Sequence, residues 1–328
     1  MSGSFDPGDA VDPADAGELP EGEAPVRRRP TWSALRTRLD ALGFRPSKRL
    51  GQNFLVDDGL CRAVAASAAP LDADGTVLEV GVGLGFLTQH LLASGARVIG
   101  VEIDDRLADL ALEWLEPAPN LELVRTDVLA GKHALAPALL ERLPDRGAWQ
   151  LVSNLPYAVA SPVVALLARL PNPPAAMTVL VQHEVAERLC ATPGDPAWGV
   201  LGARLALGYT GRLVRAVGAA GFRPRPKVDS SICRLDARTD GPTLSPAARA
   251  AYDQVAAAVF TQRRKRLRHP LAGLVGGTAA ADSWLDAAGI DRELRVEAVG
   301  PEQLLALLEA PRGVEIQERI AGSGPSSR

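Results

Sequence analysis

The 328-residue chain is poor in cysteine, in aromatic side chains and in long apolar runs, and each shortage removes a class of protein. Cys61, Cys190 and Cys233 lie far apart, outside any CxxC or CxxH spacing, so neither a disulfide framework nor a zinc site is expected. They read as small buried hydrophobes. The sequence has no apolar run long enough for a membrane helix, and its N-terminus carries no basic-then-apolar signal. No membrane partner is expected, and the cytoplasm is the expected compartment. With 47% hydrophobic and 23% charged residues, the composition suits a globular protein of one large domain and one smaller one.

The net charge of −3 argues against a polyanionic partner only until it is divided along the chain. Residues 1–30 hold seven acids against three arginines, a balance of −4, which leaves about +1 for the remainder. Two basic clusters stand out there: Arg223, Arg225 and Lys227 in "GFRPRPK", and Arg263, Arg264, Lys265, Arg266 and Arg268 in "TQRRKRLRHP". Local field matters more than total charge, although each cluster also has the simpler reading of a solvated helix face.

The first thirty residues are rich in Asp, Gly, Pro and Ala and lack periodicity, which predicts a disordered acidic tail. From Thr31, "WSALRTRLDALG" has helical spacing up to a stop at Gly43, and a loop then leads into a second helix. Five apolar segments follow, at 76–82, 96–103, 121–128, 149–156 and 175–182, most of them separated by helical stretches. Such alternation predicts a doubly wound parallel α/β sheet. "PKVDSSICRLDAR" (226–238) predicts one further strand, "TDGPTLSPAA" a linker, and the stretch from about 246 to 310 a set of helices. The expected organisation is a tail over 1–30, a first domain over 31–240, a small helical domain over 241–310 and a flexible end over 311–328.

"VLEVGVGLGFLT" places Glu79, Gly81, Gly83 and Gly85 at a strand-to-helix junction, where glycine lets backbone approach a ligand closely. A nicotinamide fingerprint fails because Phe86 stands where G-x-G-x-x-G needs its last glycine. G-x-G-x-G with an acid two residues earlier fits S-adenosylmethionine better, which makes Glu79, Gly81 and Gly83 candidate cofactor residues. Glu102 ends the next strand, where a carboxylate can accept from both ribose hydroxyls. Asp127 ends the strand after that, placed to accept from an adenine amine. Either acid also reads as an ordinary helix cap.

The following strand ends in Asn154-Leu155-Pro156-Tyr157, on the same ligand-facing edge. An exocyclic amine can donate to the Asn154 side-chain oxygen and the Leu155 carbonyl while Tyr157 stacks on its ring, with Pro156 fixing the turn. Positioning then supplies much of the catalysis, and no nucleophilic side chain is needed. A base inside a helix cannot reach such a pocket, so the substrate is single-stranded, looped or flipped out. The plainer alternative is a proline turn with a satisfied amide. His183 and Glu184 are neighbours without a second ligand, and His90, His133 and His269 are isolated, so no metal is expected.

Seven segments in order carry a resemblance: "SKRLGQNFLVDDGL", "LEVGVGLGFLT", "VEID", "NLPYAVASP", "VQHEVAERL", "FRPRPKVDSSICRL" and "VFTQRRKRLRHPL". Over roughly residues 45–310 the chain resembles the bacterial small-subunit ribosomal RNA adenine dimethyltransferase family. The resemblance implies a Rossmann-like class I methyltransferase sheet with a small α-helical C-terminal domain, and S-adenosylmethionine as methyl donor. It implies four methyl transfers to the N6 amines of two neighbouring adenosines in the hairpin loop near the 3′ end of small-subunit (16S) RNA. The expected substrate is an assembled 30S particle late in biogenesis, met by a monomeric enzyme. It further implies that Asn53 and Leu55 close over the cofactor, that Gly81 lines it, that Glu102 holds its ribose and that Asp127 holds its adenine amine. Asn154 would touch both cofactor and target amine, Tyr157 and Phe222 would sandwich the target base, and the "RRKRLR" run would bind RNA backbone. The chain departs from the family pattern at Val82, where proline is common, at Thr126, where glycine is common, and in "AVAS" after Tyr157, where a more polar run is usual.

Three other readings stay open. A large-subunit RNA adenine dimethyltransferase would share the loop and the amine pocket, though the long helical C-terminal segment and "PKVDSSICRL" favour the small-subunit reading. A DNA adenine methyltransferase would need an extra recognition domain. A ribosome-assembly factor would keep binding after Glu102 or Asn154 is replaced. The acidic tail is expected to cover basic surface, so its deletion should strengthen binding to unrelated RNA at low salt, and an unchanged affinity would refute that role.

Overall fold

The computed structural model describes residues 29–47, 50–68, 70–71, 74–131 and 134–322. The expected tail lies outside them except for Arg29 and Pro30. Arg29 is docked: its guanidinium bonds Asp58 at 2.5 Å and the Val56 carbonyl at 2.6 Å, and lies 3.9 Å from the centre of the Phe86 ring. Thr31 caps the first helix, Trp32–Ala41, by accepting from the Ala34 N–H, and Asp57 caps Asp58–Ser67 through Leu60.

Among the described residues nine strands follow one another: β1 Phe54–Leu55, β2 Thr76–Val80, β3 Arg97–Glu102, β4 Leu121–Arg125, β5 Trp149–Asn154, β6 Ala176–Gln182, β7 Tyr209–Val217, β8 Phe222–Arg223 and β9 Ser230–Ala237. Seven of them form one sheet in the order β4-β3-β2-β5-β6-β9-β7. The first five in that order are parallel, and β9 runs antiparallel to both β6 and β7. The expected doubly wound sheet is therefore present, closed on one side by an antiparallel pair. β7 was not foreseen from sequence: its segment carries Gly211, Arg212 and Arg215, and a bulge between Leu213 and Arg215 breaks the period of two.

The parallel strands are apolar on both faces because helices cover both. One layer packs Leu78, Ile99, Leu151 and Met177 against Val163 and Leu167; the other packs Val77, Val98, Val152 and Leu180 against Val64 and Leu91. Strand order reverses between β2 and β5, where such sheets bind ligands. Pairing of these two strands stops at Leu78–Leu151, and beyond it the Ser153 hydroxyl donates to the Val80 carbonyl at 2.6 Å. That bond satisfies a carbonyl left without a strand partner where the backbones part.

A third core gathers the C-terminal helices around Tyr252, Leu271, Trp284 and Leu304. It also takes in Trp198, Ala203 and Leu207, which precede β7 in the chain. Trp198 Nε1 donates to the Val299 carbonyl at 2.9 Å, the Tyr252 hydroxyl to the Ala203 carbonyl at 2.8 Å, and Arg204 and Arg169 converge on Asp253 at 3.0 and 2.7 Å. The expectation of a flexible end from residue 311 needs correction: Pro311–Gly322 is a helix. Its spacing puts Gly313, Ile316 and Ile320 on one side, and Gly313 lies so close to the preceding helix that a Cβ there would fall 2.1 Å from the Leu307 carbonyl oxygen. Among the described residues no helix is long and apolar enough to cross a membrane.

Candidate active site

The C-terminal ends of β2, β3, β4 and β5 open onto one cavity of about 1060 Å³, part of it open to solvent. Gly81, Gly83 and Gly85 all have positive φ (81°, 56° and 76°), which side-chain-bearing residues resist. Gly81 also needs its missing side chain, since a Cβ there would lie 3.2 Å from Pro156 Cγ. The loop after β2 and the loop after β5 are thus held in contact. Val82, where the family pattern favours proline, is buried, and Gly100 of β3 makes room for it: a Cβ on Gly100 would lie 2.6 Å from Val82 Cγ2.

Three backbone N–H groups aim the Glu102 carboxylate: Gly83 donates to Oε2 at 2.8 Å, and Ile103 and Asp104 to Oε1 at 3.0 Å each. Burial raises its pKa, and these donors work against that rise. Glu102 is not the cap of the next helix, because Asp104 fills that position. Asp127 is exposed on the cavity wall and accepts from the Leu129 N–H at 3.0 Å, an Asx turn with no helix behind it. Glu79 is fully buried, and its Oε2 has no hydrogen-bond partner. Burial pushes its pKa up to about 8, and the neighbouring Glu102 charge adds to the rise.

Asn154 ends β5 half-buried. Its Nδ2 donates to the Asn53 carbonyl at 3.3 Å, which leaves the side-chain oxygen as an acceptor on the cavity. Leu155 is buried, and its N–H is held by the Leu180 carbonyl at 3.1 Å. Tyr157 lines the cavity, with its hydroxyl 2.8 Å from Ser230 Oγ. The "GQNFL" segment covers this part of the pocket. Gly51, at φ 66°, sits against the Tyr157 backbone nitrogen, and Asn53 and Leu55 reach the cavity wall. Glu79, Gly81, Gly83, Glu102, Asp127 and Asn154 to Tyr157 therefore meet in one space.

One expectation needs correction. Phe222 does not face the cavity: it is fully buried, paired with Leu55 between β8 and β1, and packed into the core with Phe54 and Leu39. A stacking partner must present a ring face, and Phe222 presents none. The basic run at 263–268 is not the helix face of its plainer reading, since turns connect a short 3-10 helix, Phe260–Gln262, to a helix that starts at Arg268. Three of its five cations have partners within the protein: Arg263 donates to the Asp195 carbonyl, Arg266 pairs with Glu293, and Arg268 pairs with the half-buried Asp282. Arg264 and Lys265 are exposed, as are Arg225 and Lys227, while Arg223 folds back onto the Ala220 and Phe222 carbonyls. Sequence reading missed Ser153, Ser230 and Ile103. Ile103 is 44% exposed on the cavity wall, and its only signal was an apolar residue directly after a strand-ending acid.

The family described as "Ribosomal RNA adenine dimethylase" matches residues 43–310. The chain belongs to this family. It is 41% identical over 280 residues to Ribosomal RNA small subunit methyltransferase A of Phenylobacterium zucineum (strain HLK1), covering 85% of this chain and 93% of that protein. It is 43% identical over 265 residues to the protein of the same name from Thermobifida fusca (strain YX), covering 79% and 88%. Among solved structures, the 23S rRNA methyltransferase ErmE aligns with a TM-score of 0.59 at 30% identity, over 78% of this chain and 98% of that one. A dimethyladenosine transferase from Plasmodium falciparum aligns at 0.64 and 23% identity, over 77% and 95%, which bears on the fold alone.

As a member of this family the chain is an S-adenosylmethionine-dependent enzyme that dimethylates adenine in ribosomal RNA. The residues present fit that cofactor. Gly81 and Gly83, both at positive φ, carry the backbone along the cavity, and buried Glu79 keeps an oxygen unpaired beside it. Among the described residues no cluster of three or more His, Cys, Asp or Glu side chains could hold a metal ion.

Proposed function

We propose that the chain dimethylates two adjacent adenosines in the 3′-terminal hairpin loop of small-subunit ribosomal RNA, within an assembled 30S particle in the cytoplasm, and acts as a monomer. The observation that carries the reading is that Asn154, its amide nitrogen held by the Asn53 carbonyl, lines one cavity with Tyr157 and the glycine loop. Relatives at 41% and 43% identity bear the small-subunit name, and that supports the choice of RNA.

In this reading Glu102 accepts from the ribose hydroxyls of S-adenosylmethionine and Asp127 from its adenine amine, while Glu79, Gly81 and Gly83 line it and Asn53 and Leu55 close over it. Bound there, the cofactor supplies an activated methyl group. Asn154 and the Leu155 carbonyl accept from the target amine, Pro156 fixes that turn, and Tyr157 stacks on the base. Stacking of this kind is worth about 1–3 kcal/mol per base. The free cations Arg225, Lys227, Arg264 and Lys265 hold RNA backbone, and the helices after residue 240 form the RNA-binding unit.

The test is nucleoside mass spectrometry after incubation with labelled S-adenosylmethionine and under-methylated small subunits, with large subunits in parallel. Dimethyladenosine at two adjacent positions near the 3′ end of small-subunit RNA is the expected result. A second reading, methylation of large-subunit RNA, is favoured by the 30% identity to ErmE; label only in large subunits would establish it. Asn154→Ala should abolish transfer while subunit binding persists, which separates catalysis from an assembly-factor role.

A further inference from the structure

Ser230 opens β9 and is held on both sides, by Gln182 of β6 and Val217 of β7. Its side chain is fully buried, and among the described residues its one hydrogen bond joins it to the Tyr157 hydroxyl at 2.8 Å. Buried hydroxyls are normally partnered, and this one has a single partner on the wall of the cavity. At its other end Tyr157 is fixed by Pro156 and by Gly51, whose missing Cβ would lie 3.1 Å from the Tyr157 nitrogen. The ring axis is therefore pinned at both ends, backbone and phenol, and its far end is held by a residue more than seventy positions away.

We propose that Ser230 is a positioning residue for methyl transfer, holding the Tyr157 ring against the acceptor base so that the second methyl is added as readily as the first. The proposal rests on the reading that Tyr157 stacks on the target adenine. Each transfer forms an N–C bond at N6, breaks the S–C bond of the methyl sulfonium and releases one amine proton to solvent. An unmethylated amine carries two equivalent hydrogens, so both rotations about the C6–N6 bond present the same group. After one methyl is on, the two rotations differ, and only one turns that methyl away and leaves the nitrogen open. A loosely held base still passes the first step, but the second demands a single pose.

Ser230→Ala, Tyr157→Phe and the double variant test this. The ratio of N6-methyladenosine to N6,N6-dimethyladenosine is read by mass spectrometry at matched conversion, on small and large subunits side by side. Each single variant should raise the ratio about fivefold, the weight of one hydrogen bond, and the double variant no further than either. A loss of both products at an unchanged ratio, the mark of a merely structural defect, overturns the proposal. So does a double variant whose ratio is the product of the two single effects. If the wild-type protein labels only large subunits, the small-subunit reading falls, while the ratio read on that RNA still decides the role of Ser230.

Discussion

Replacing Glu79 with glutamine removes one buried ionisable group and leaves the shape of the pocket nearly unchanged. In the folded protein Glu79 holds its proton up to about pH 8, against an ordinary value of 4.5. A folded pKa raised in this way means that, between those two values, the native chain binds a proton that the unfolded chain has released. Stability therefore falls as pH rises through that window, and the slope is absent from the glutamine variant. At 1.36 kcal/mol per pH unit, the wild type should lose about 3 kcal/mol relative to Glu79→Gln between pH 5 and pH 8. Other titrating groups are common to both proteins and cancel in the difference. The assay is urea unfolding of the two cofactor-free proteins at half-unit steps of pH, with stability differences taken pairwise. Curves that stay parallel from pH 5 to 8 would refute the argument. Any constant offset, from burying an amide donor in place of an oxygen, leaves the slope untouched.

Phe222→Ala should cost about 3–5 kcal/mol of stability, the range for emptying an aromatic site in a packed core, visible as a lowered urea midpoint; an unchanged midpoint with weakened RNA binding would return the ring to the substrate. Arg264→Ala with Lys265→Ala should leave stability alone and reduce the slope of log affinity against log salt by about 2, read by filter binding to small subunits. Arg268→Ala should do the reverse, leaving that slope unchanged and costing about 1–3 kcal/mol because Asp282 stays half-buried without its partner.

The five parallel strands were legible because burial on both faces demands continuous apolar runs such as "TVLEV" and "AMTVLVQ", which stand out in any composition. The acids and the asparagine were legible because topology places the ends of consecutive parallel strands on one edge, so that strand position alone brings Glu102, Asp127 and Asn154 together. What depends on side-chain partners was not legible. Nothing in "GFRPRPK" tells whether Phe222 looks inward or outward; its burial follows from the pairing of Leu55 with Phe222, a two-residue ribbon too short to leave a period. Likewise "RRKRLR" looks uniformly free in sequence, and only the fold brings Asp195, Glu293 and Asp282 up to three of its cations. The helix at 311–322 was missed because its apolar residues are few and interspersed with Arg and Glu, and its contact with the rest of the protein depends on Gly313 having no side chain.

Trp198 lies ahead of β7 in the chain yet belongs to the core of the C-terminal helices, and Asp253 of those helices pairs with Arg169 and Arg204, which also precede β7. The two parts cannot hinge freely without tearing that core. Under the proposed reading, Arg264 and Lys265 and the cavity that receives the base thus sit at the two jaws of a fixed caliper. Such an instrument selects its adenosines by their span from the gripped backbone, and an RNA with the right sequence at the wrong reach is left unmethylated.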